Sequence, residues 1–190
     1  MIYRFMFVAY SKDVHRVKLV QNDKVYAALS CNNDELYLYV EANEETVDPN
    51  QLVEGDLISY PNGKKWERAV EIFHYSRPVS DKQWQRKEKK TPYVRRNLVK
   101  PEKTASYIFY HYQYQEEVPG DGDRYGSIYL FGDELIFYAE NPTEKETQVL
   151  EGALNTKNSP LDRWGTLMAE HFADQWREIE MLEFSEYISF

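Results

Sequence analysis

Asn33-Asp34-Glu35-Leu36-Tyr37-Leu38-Tyr39-Val40-Glu41 returns later in the chain as Gly132-Asp133-Glu134-Leu135-Ile136-Phe137-Tyr138-Ala139-Glu140. In the first stretch Leu36, Leu38 and Val40 fall on one face of an extended chain and Tyr37 and Tyr39 on the other, the period of a strand. Lys24–Cys31 reads as a second strand, and Asn32-Asn33 tolerates the positive φ of a tight turn, so an antiparallel hairpin is predicted over residues 24–41. A recurrence of this length implies a tandem duplication. Two similar halves tend to pack about a pseudo-two-fold axis with a groove between them.

Fainter echoes keep the same order. Tyr107, Phe109 and Tyr114 follow the spacing of Tyr3, Phe5 and Tyr10, and Tyr125 matches Tyr26. Glu151–Leu154 echoes Glu54–Leu57, and Arg177–Ser185 echoes Arg68–Ser76. The implied organisation is a first β-rich repeat (1–77), a basic, partly helical connector (78–104), and a second β-rich repeat (105–190) carrying an inserted helix. Tyr3–Tyr10 is apolar on both alternating faces, as a central strand is. Ser11 caps a short helix running to Val20, and Asp48-Pro49 starts a single helical turn. Asn62-Gly63 joins Asp56–Tyr60 and Trp66–Tyr75 in a hairpin. Glu117–Asp123 reads as loop. Ser159-Pro160-Leu161-Asp162 opens a helix over about 160–176, on which Trp164, Leu167, Met168, His171, Phe172 and Gln175 share helical spacing. The expected fold is α+β, predominantly antiparallel sheet. The alternative is a pair of tandem ferredoxin-like repeats, each ordered strand, helix, hairpin, helix, strand.

Composition narrows the function classes. Aromatic residues make up 15% of the 190, sixteen of them tyrosine, which is too ring-rich for a disordered chain despite a mean hydropathy of -0.71. One cysteine, Cys31, excludes an internal disulfide and, with no leader evident before Tyr3, points to the cytoplasm. The apolar run Phe5–Tyr10 falls far short of the ~20 residues that cross a bilayer, so no membrane association is expected. Residues 82–103 hold nine Lys or Arg against two Glu, a local +7 that leaves -16 on the rest of a chain whose total is -9. That acidic remainder argues against nucleic acid as a partner. The basic segment is read as a connector that docks on acidic surface, with Ser80-Asp81-Lys82-Gln83 capping a short helix anchored by Trp84.

Candidate chemistry is sparse. Tyr110-His111-Tyr112-Gln113-Tyr114-Gln115 alternates as a strand does, placing His111, Gln113 and Gln115 on one face. Under an enzyme reading His111 acts as acid or base, Tyr112 orients a substrate and Glu116 tunes the imidazole. His74, Tyr110, Gln113 and Arg77 then complete a ligand-binding surface in the groove. Asp121-Gly122-Asp123 opens like a calcium loop, but Tyr125 stands at a ligand position and Gly132 where the closing glutamate belongs, so no metal is assigned. Glycine spacing excludes the usual phosphate-cradling loops, and no cofactor is expected. The leading expectation is a non-enzymatic binding or regulatory protein. It uses an aromatic groove for a small-molecule ligand, or its acidic surface for a basic protein. The oligomeric state is not legible in the sequence.

Overall fold

The computed structural model describes residues 1–146 and 163–183. The echo at 151–154, the opening of the predicted helix at 159–162 and the end of the 177–185 echo lie outside them. The chain divides into two compact units. One comprises Met1–Val70, Pro78–Val94 and the chain from Ile179; the other comprises Glu71–Arg77 with Arg95–Glu178, as far as these residues are described.

The fold is predominantly antiparallel sheet, as the patterning predicts. In the first unit β1 (Tyr3–Ser11) is followed by β2 (Lys18–Leu19), β3 (Val25–Asn32) and β4 (Glu35–Ala42). β4 pairs with β1 on one side and β3 on the other, antiparallel throughout. Asn33, at φ 55, makes the turn of the β3–β4 hairpin, a conformation that asparagine tolerates better than most residues. Phe5, Phe7, Ala27, Leu29, Leu36, Leu38 and Val40 bury the face expected of them, joined by Leu52 and Trp66 in one core.

Two local expectations are corrected here. The helix from Ser11 to Val20 is only a 3-10 turn, Val14–Arg16, before β2 pairs with β5 (Val53–Glu54). β-branched Val14, Val17 and Val20 favour the extended chain that forms instead. The Asn62-Gly63 segment turns, with Gly63 at φ 83 and Tyr60 N–H donating to Lys64 O at 2.7 Å, yet the flanking strands do not pair as a hairpin. β6 (Leu57–Ile58) and β7 (Glu67–His74) both line β1, opposite Tyr10–Ser11 and Met6–Val8 respectively. The turn is thus an excursion along one strand edge. The Asp48-Pro49 turn forms as predicted, its carboxylate accepting from Asn50 N–H at 3.0 Å.

The basic segment holds the predicted cap. Helix α1 (Asp81–Trp84) starts with Gln83 N–H donating to Ser80 Oγ at 3.2 Å, and Trp84 is buried. It also holds a full strand, β8 (Thr91–Leu98), that the sequence reading passes over. The tie between this segment and the hairpin is Glu41, 1% exposed. Arg86 grips it with two bonds of 2.9 and 3.0 Å, while Trp84 Nε1–H and Tyr39 O–H donate at 3.0 and 2.8 Å. The Arg86 guanidinium lies 4.0 Å from the Tyr26 ring centroid.

In the second unit β8 leads into helix α2 (Thr104–Glu117), then β9 (Ser127–Phe131) and β10 (Glu134–Asn141). Helix α2 is the principal correction, because Tyr110–Gln115 within it is read above as strand. Helix α3 (Trp164–Ala169) lies inside the span predicted for the inserted helix but is shorter; β11 (Arg177–Glu180) follows, and β12 (Leu182–Glu183) belongs to the first unit, where it pairs antiparallel with β3. β9 and β10 form a hairpin in the register of β3 and β4: Phe131 faces Glu134 as Asn32 faces Glu35. Gly132 takes the positive φ, 59, where Asn33 does in the first. Tyr138 O–H donates to the buried Glu140 carboxylate at 2.7 Å, as Tyr39 does to Glu41. Val99 N–H donates to Asp133 O at 2.9 Å, as Ser11 N–H does to Asp34 O.

The strand order β7-β1-β4-β3 along residues 3–74 recurs along 91–180 as β11-β8-β10-β9. Last, first, third, second is the order in both, but the first set has only the 3-10 turns Val14–Arg16 and Pro49–Gln51 where a split βαβ unit carries helices. The strand standing where β1 stands is β8, not the segment at 107–114. A second core gathers Phe73, Val99, Tyr107, Ile128, Leu135 and Met168.

Candidate functional site

Pro101 fits the 3-10 turn Pro101–Lys103 that leads into α2, since a proline in a first turn sacrifices no helical hydrogen bond. Val118 N–H closes the helix on Tyr114 O, and Pro119 follows. A 100° step separates what a strand would align. Gln113 turns away from His111, while Tyr107, His111 and Gln115 lie a turn apart on one side. The Gln115 amide donates to the main-chain carbonyls of His74 and Tyr75 at 3.1 and 2.6 Å, fixing the helix to the chain after β7.

His111 is packed in rings. Tyr107, Trp164 and Phe73 lie 4.2, 5.1 and 5.2 Å from it, and its Nδ1–H donates to Tyr107 O at 2.8 Å. Burial pushes its pKa down to about 4 against the pull of the Tyr107 carbonyl, with His171 adding a smaller push the same way. A neutral imidazole inside a ring cluster behaves as a core side chain. Tyr112 stacks edge-on to Phe73 at 5.1 Å, and Tyr110 stands 5.8 Å from His171. Gln113 donates to Glu117 at 3.1 Å, and Glu116 is half-buried in the last turn.

His74 and Arg77 form a different network. Arg77 Nε–H donates to His74 Nε2 at 2.6 Å, which leaves the imidazole proton on Nδ1, where it is given to Glu71 at 2.8 Å. Tyr129 O–H reaches the other Glu71 oxygen at 3.4 Å, and Ser127 Oγ donates to Tyr129 at 3.2 Å. The chain of donors stitches β7 to β9. A further pair unseen in the sequence joins Ser106 Oγ to His171 Nε2 at 2.8 Å, while His171 Nδ1–H donates to Leu167 O. Cys31 lies in β3, half-buried, and its thiol pKa is raised by burial, against any nucleophilic role.

This unit holds a cleft of about 580 Å³ along Asn97, Phe172 and Trp176, and a second, smaller one beside the residues just described. Tyr75, Tyr114, Phe137 and Trp164 wall a cleft of about 310 Å³, with Asp121, Asp123, Thr143 and Lys145 among its lining. Tyr114 and Trp164 rings are 4.8 Å apart, set by the last turn of α2 and the start of α3. Tyr75 is held by close backbone: a Cβ at Gly126 would come within 2.8 Å of its ring, and one at Gly122 within 3.3 Å of its Cβ. Tyr114 O–H donates to Asp121 Oδ2 at 2.7 Å, and Lys145 donates to Oδ1 at 2.8 Å. The Lys145 and Tyr114 hydrogen bonds hold the Asp121 carboxyl below the usual range, and in return the Asp121 bond pushes the Tyr114 phenol up to about 12. Four aromatic side chains and two carboxylates, with Lys145 on one of them, line the cleft, a composition suited to positive charge.

None of the seven residues singled out in the sequence lines this cleft. Tyr75, Tyr114, Phe137 and Trp164 are there assigned to strands or to a helix face, and the aspartates to a failed calcium loop. The acid pair followed by a glycine that packs under an aromatic was the available signal. Among the described residues no three of His, Cys, Asp and Glu converge as metal ligands, and no helix is long and apolar enough to cross a membrane. In the first unit a larger cleft, about 1100 Å³, is lined mainly by short polar side chains such as Gln21, Asn22, Asn43 and Thr46. Comparison with protein-family models, with curated proteins and with solved structures finds no match.

Proposed function

We propose that the protein is a non-enzymatic binding protein whose second-unit cleft takes a small organic cation, a protonated or quaternary amine. The observation that carries this reading is the set of four aromatic walls beside Asp121 and Asp123. Lys145 already pairs with Asp121, but both side chains are about half exposed, at 53% and 46%. Such a pair is worth roughly 0–1 kcal/mol, so an entering ammonium displaces it at little cost. Contact of a desolvated cation with ring faces returns about 0.5–2 kcal/mol. The cleft volume is at the lower end of ordinary ligand sites. The depressed pKa and ring-packed setting of His111 support binding over the acid–base alternative. The recurring strand order and the paired Tyr-x-Glu contacts support a further proposal, that the chain arose by tandem duplication.

Titration calorimetry with tetramethylammonium and with 3,3-dimethylbutan-1-ol, an uncharged alcohol whose tert-butyl group has a similar shape, tests the reading. Binding of the cation alone is expected, weakened about tenfold by Trp164→Ala, equivalent to ~1.4 kcal/mol. Equal binding of the alcohol, or no cation binding, refutes it.

A further inference from the structure

We infer that the first unit carries a second site, independent of the cation cleft and opposite in charge, which binds an oxyanion group borne on a flat apolar body. The excursion between β6 and β7 and the turn at Pro49 enclose a cleft of about 640 Å³. Its lining includes Lys64, Lys65 and Arg68, with Phe7, Pro49 and Trp66 as apolar surface.

Charge sets this cleft apart. Its three cations face two carboxylates, a net +1 in a chain of net -9. The larger first-unit cleft holds Asp23, Glu44 and Asp48 against Lys24, and the second-unit cleft holds two aspartates against Lys145. The two acids here are already engaged by neutral donors. Asp48 accepts from Asn50 N–H at 3.0 Å and Asn50 Nδ2 at 2.8 Å, and Glu67 accepts from Asn62 Nδ2. Lys64, Lys65 and Arg68 make no ion pair among the described residues. Arg68 instead rests its guanidinium 4.6 Å from the centroid of Phe5, whose ring stacks on Phe7.

A second, independent observation concerns Trp66. It is 5% exposed, and its indole Nε1–H has no acceptor among the described residues. A buried donor without an acceptor is costly, and a site that supplies one from a ligand recovers that cost on binding. A carboxylate or phosphate fits all the parts. Its oxygens take the lysine and arginine charge and its body lies on Phe7 and Trp66, while the indole N–H, closed to solvent here, is reached once the side chains over it part on binding.

The test follows the Trp66 indole resonance in ¹⁵N-labelled protein, assigned by its loss in Trp66→Phe. Benzoate, phenyl phosphate, inorganic phosphate and benzyl alcohol are titrated separately. Benzoate or phenyl phosphate is expected to shift that resonance saturably, with affinity about tenfold lower in Lys64→Glu/Lys65→Glu, whose changes sit on an exposed turn; which anion binds tighter separates carboxylate from phosphate ligands. Benzyl alcohol leaves the resonance in place. An unmoved indole under both aromatic anions, equal affinity in the double variant, or equal binding of benzyl alcohol overturns the site. Inorganic phosphate binding as tightly as phenyl phosphate overturns the part given to the rings. Tetramethylammonium binding at the other cleft is unaffected by the double variant, so the two readings fail separately.

Discussion

Acid should loosen this protein through His111, and the size of the effect follows from its surroundings. The imidazole has an ordinary pKa of 6.5 once unfolded and about 4 when buried against Tyr107, Phe73 and Trp164. A folded pKa below the unfolded one means that the unfolded chain binds the extra proton first as pH falls. Above pH 6.5 both forms are neutral and the group has no effect. Between 6.5 and about 4 stability is progressively lost, and below 4 the loss levels off. From pH 7.5 to 4.5 the loss from this residue alone is about 2–3 kcal/mol. Urea denaturation at the two pH values measures the total, which includes carboxylates such as Asp121, so the comparison is with His111→Phe. The ring fills the same cluster and cannot titrate. The variant should lose about 2–3 kcal/mol less than the parent over that interval, and the parent's His111 ring should titrate near 4 by NMR. An identical pH dependence in the two proteins, or titration near 6.5, refutes the burial argument.

Two further outcomes follow from packing. Removing one partner of the buried Glu41–Arg86 pair, as in Arg86→Met, should cost about 3–5 kcal/mol in chemical denaturation because an uncompensated carboxylate remains beneath Trp84; adding Glu41→Leu to it should recover part of that loss. Gly126→Ala places a methyl 2.8 Å from Tyr75 and 3.0 Å from Asp123 Cβ, so it should lower stability by about 1–3 kcal/mol and weaken tetramethylammonium binding by moving a wall of the cleft.

The hairpins were legible because their information is local. Asn33 and Gly132 sit where the turn needs positive φ, and the alternation of Leu36 to Val40 agrees with the face that became buried. Helix α2 was not, because Tyr110, Tyr112 and Tyr114 alternate with polar residues at the period of a strand. Here composition outvoted pattern: Gln113, Gln115, Glu116 and Glu117 favour helix, and Pro101 marks its approach. β8 was hidden by charge. Arg95 and Arg96 looked like a solvated connector, yet Arg96 pairs with Glu134 at 2.6 Å and Arg95 lies 5.2 Å from the Trp176 ring. The cleft was beyond reach for a different reason. Its walls come from four places, after β7, late in α2, in β10 and at the start of α3, and no spacing in one segment brings Tyr75, Tyr114, Phe137 and Trp164 together.

The amides of Ser11 and Val99 each seat on the carbonyl of the aspartate at a hairpin bend. An anchor made only of main chain asks nothing of the side chains around it. β1 can therefore be greasy Phe5-Met6-Phe7-Val8 while β8 is Tyr93-Val94-Arg95-Arg96, and each still occupies the corresponding berth beside its hairpin. Address and chemistry are encoded separately here, which leaves one strand free to fill a core and its counterpart free to carry charge.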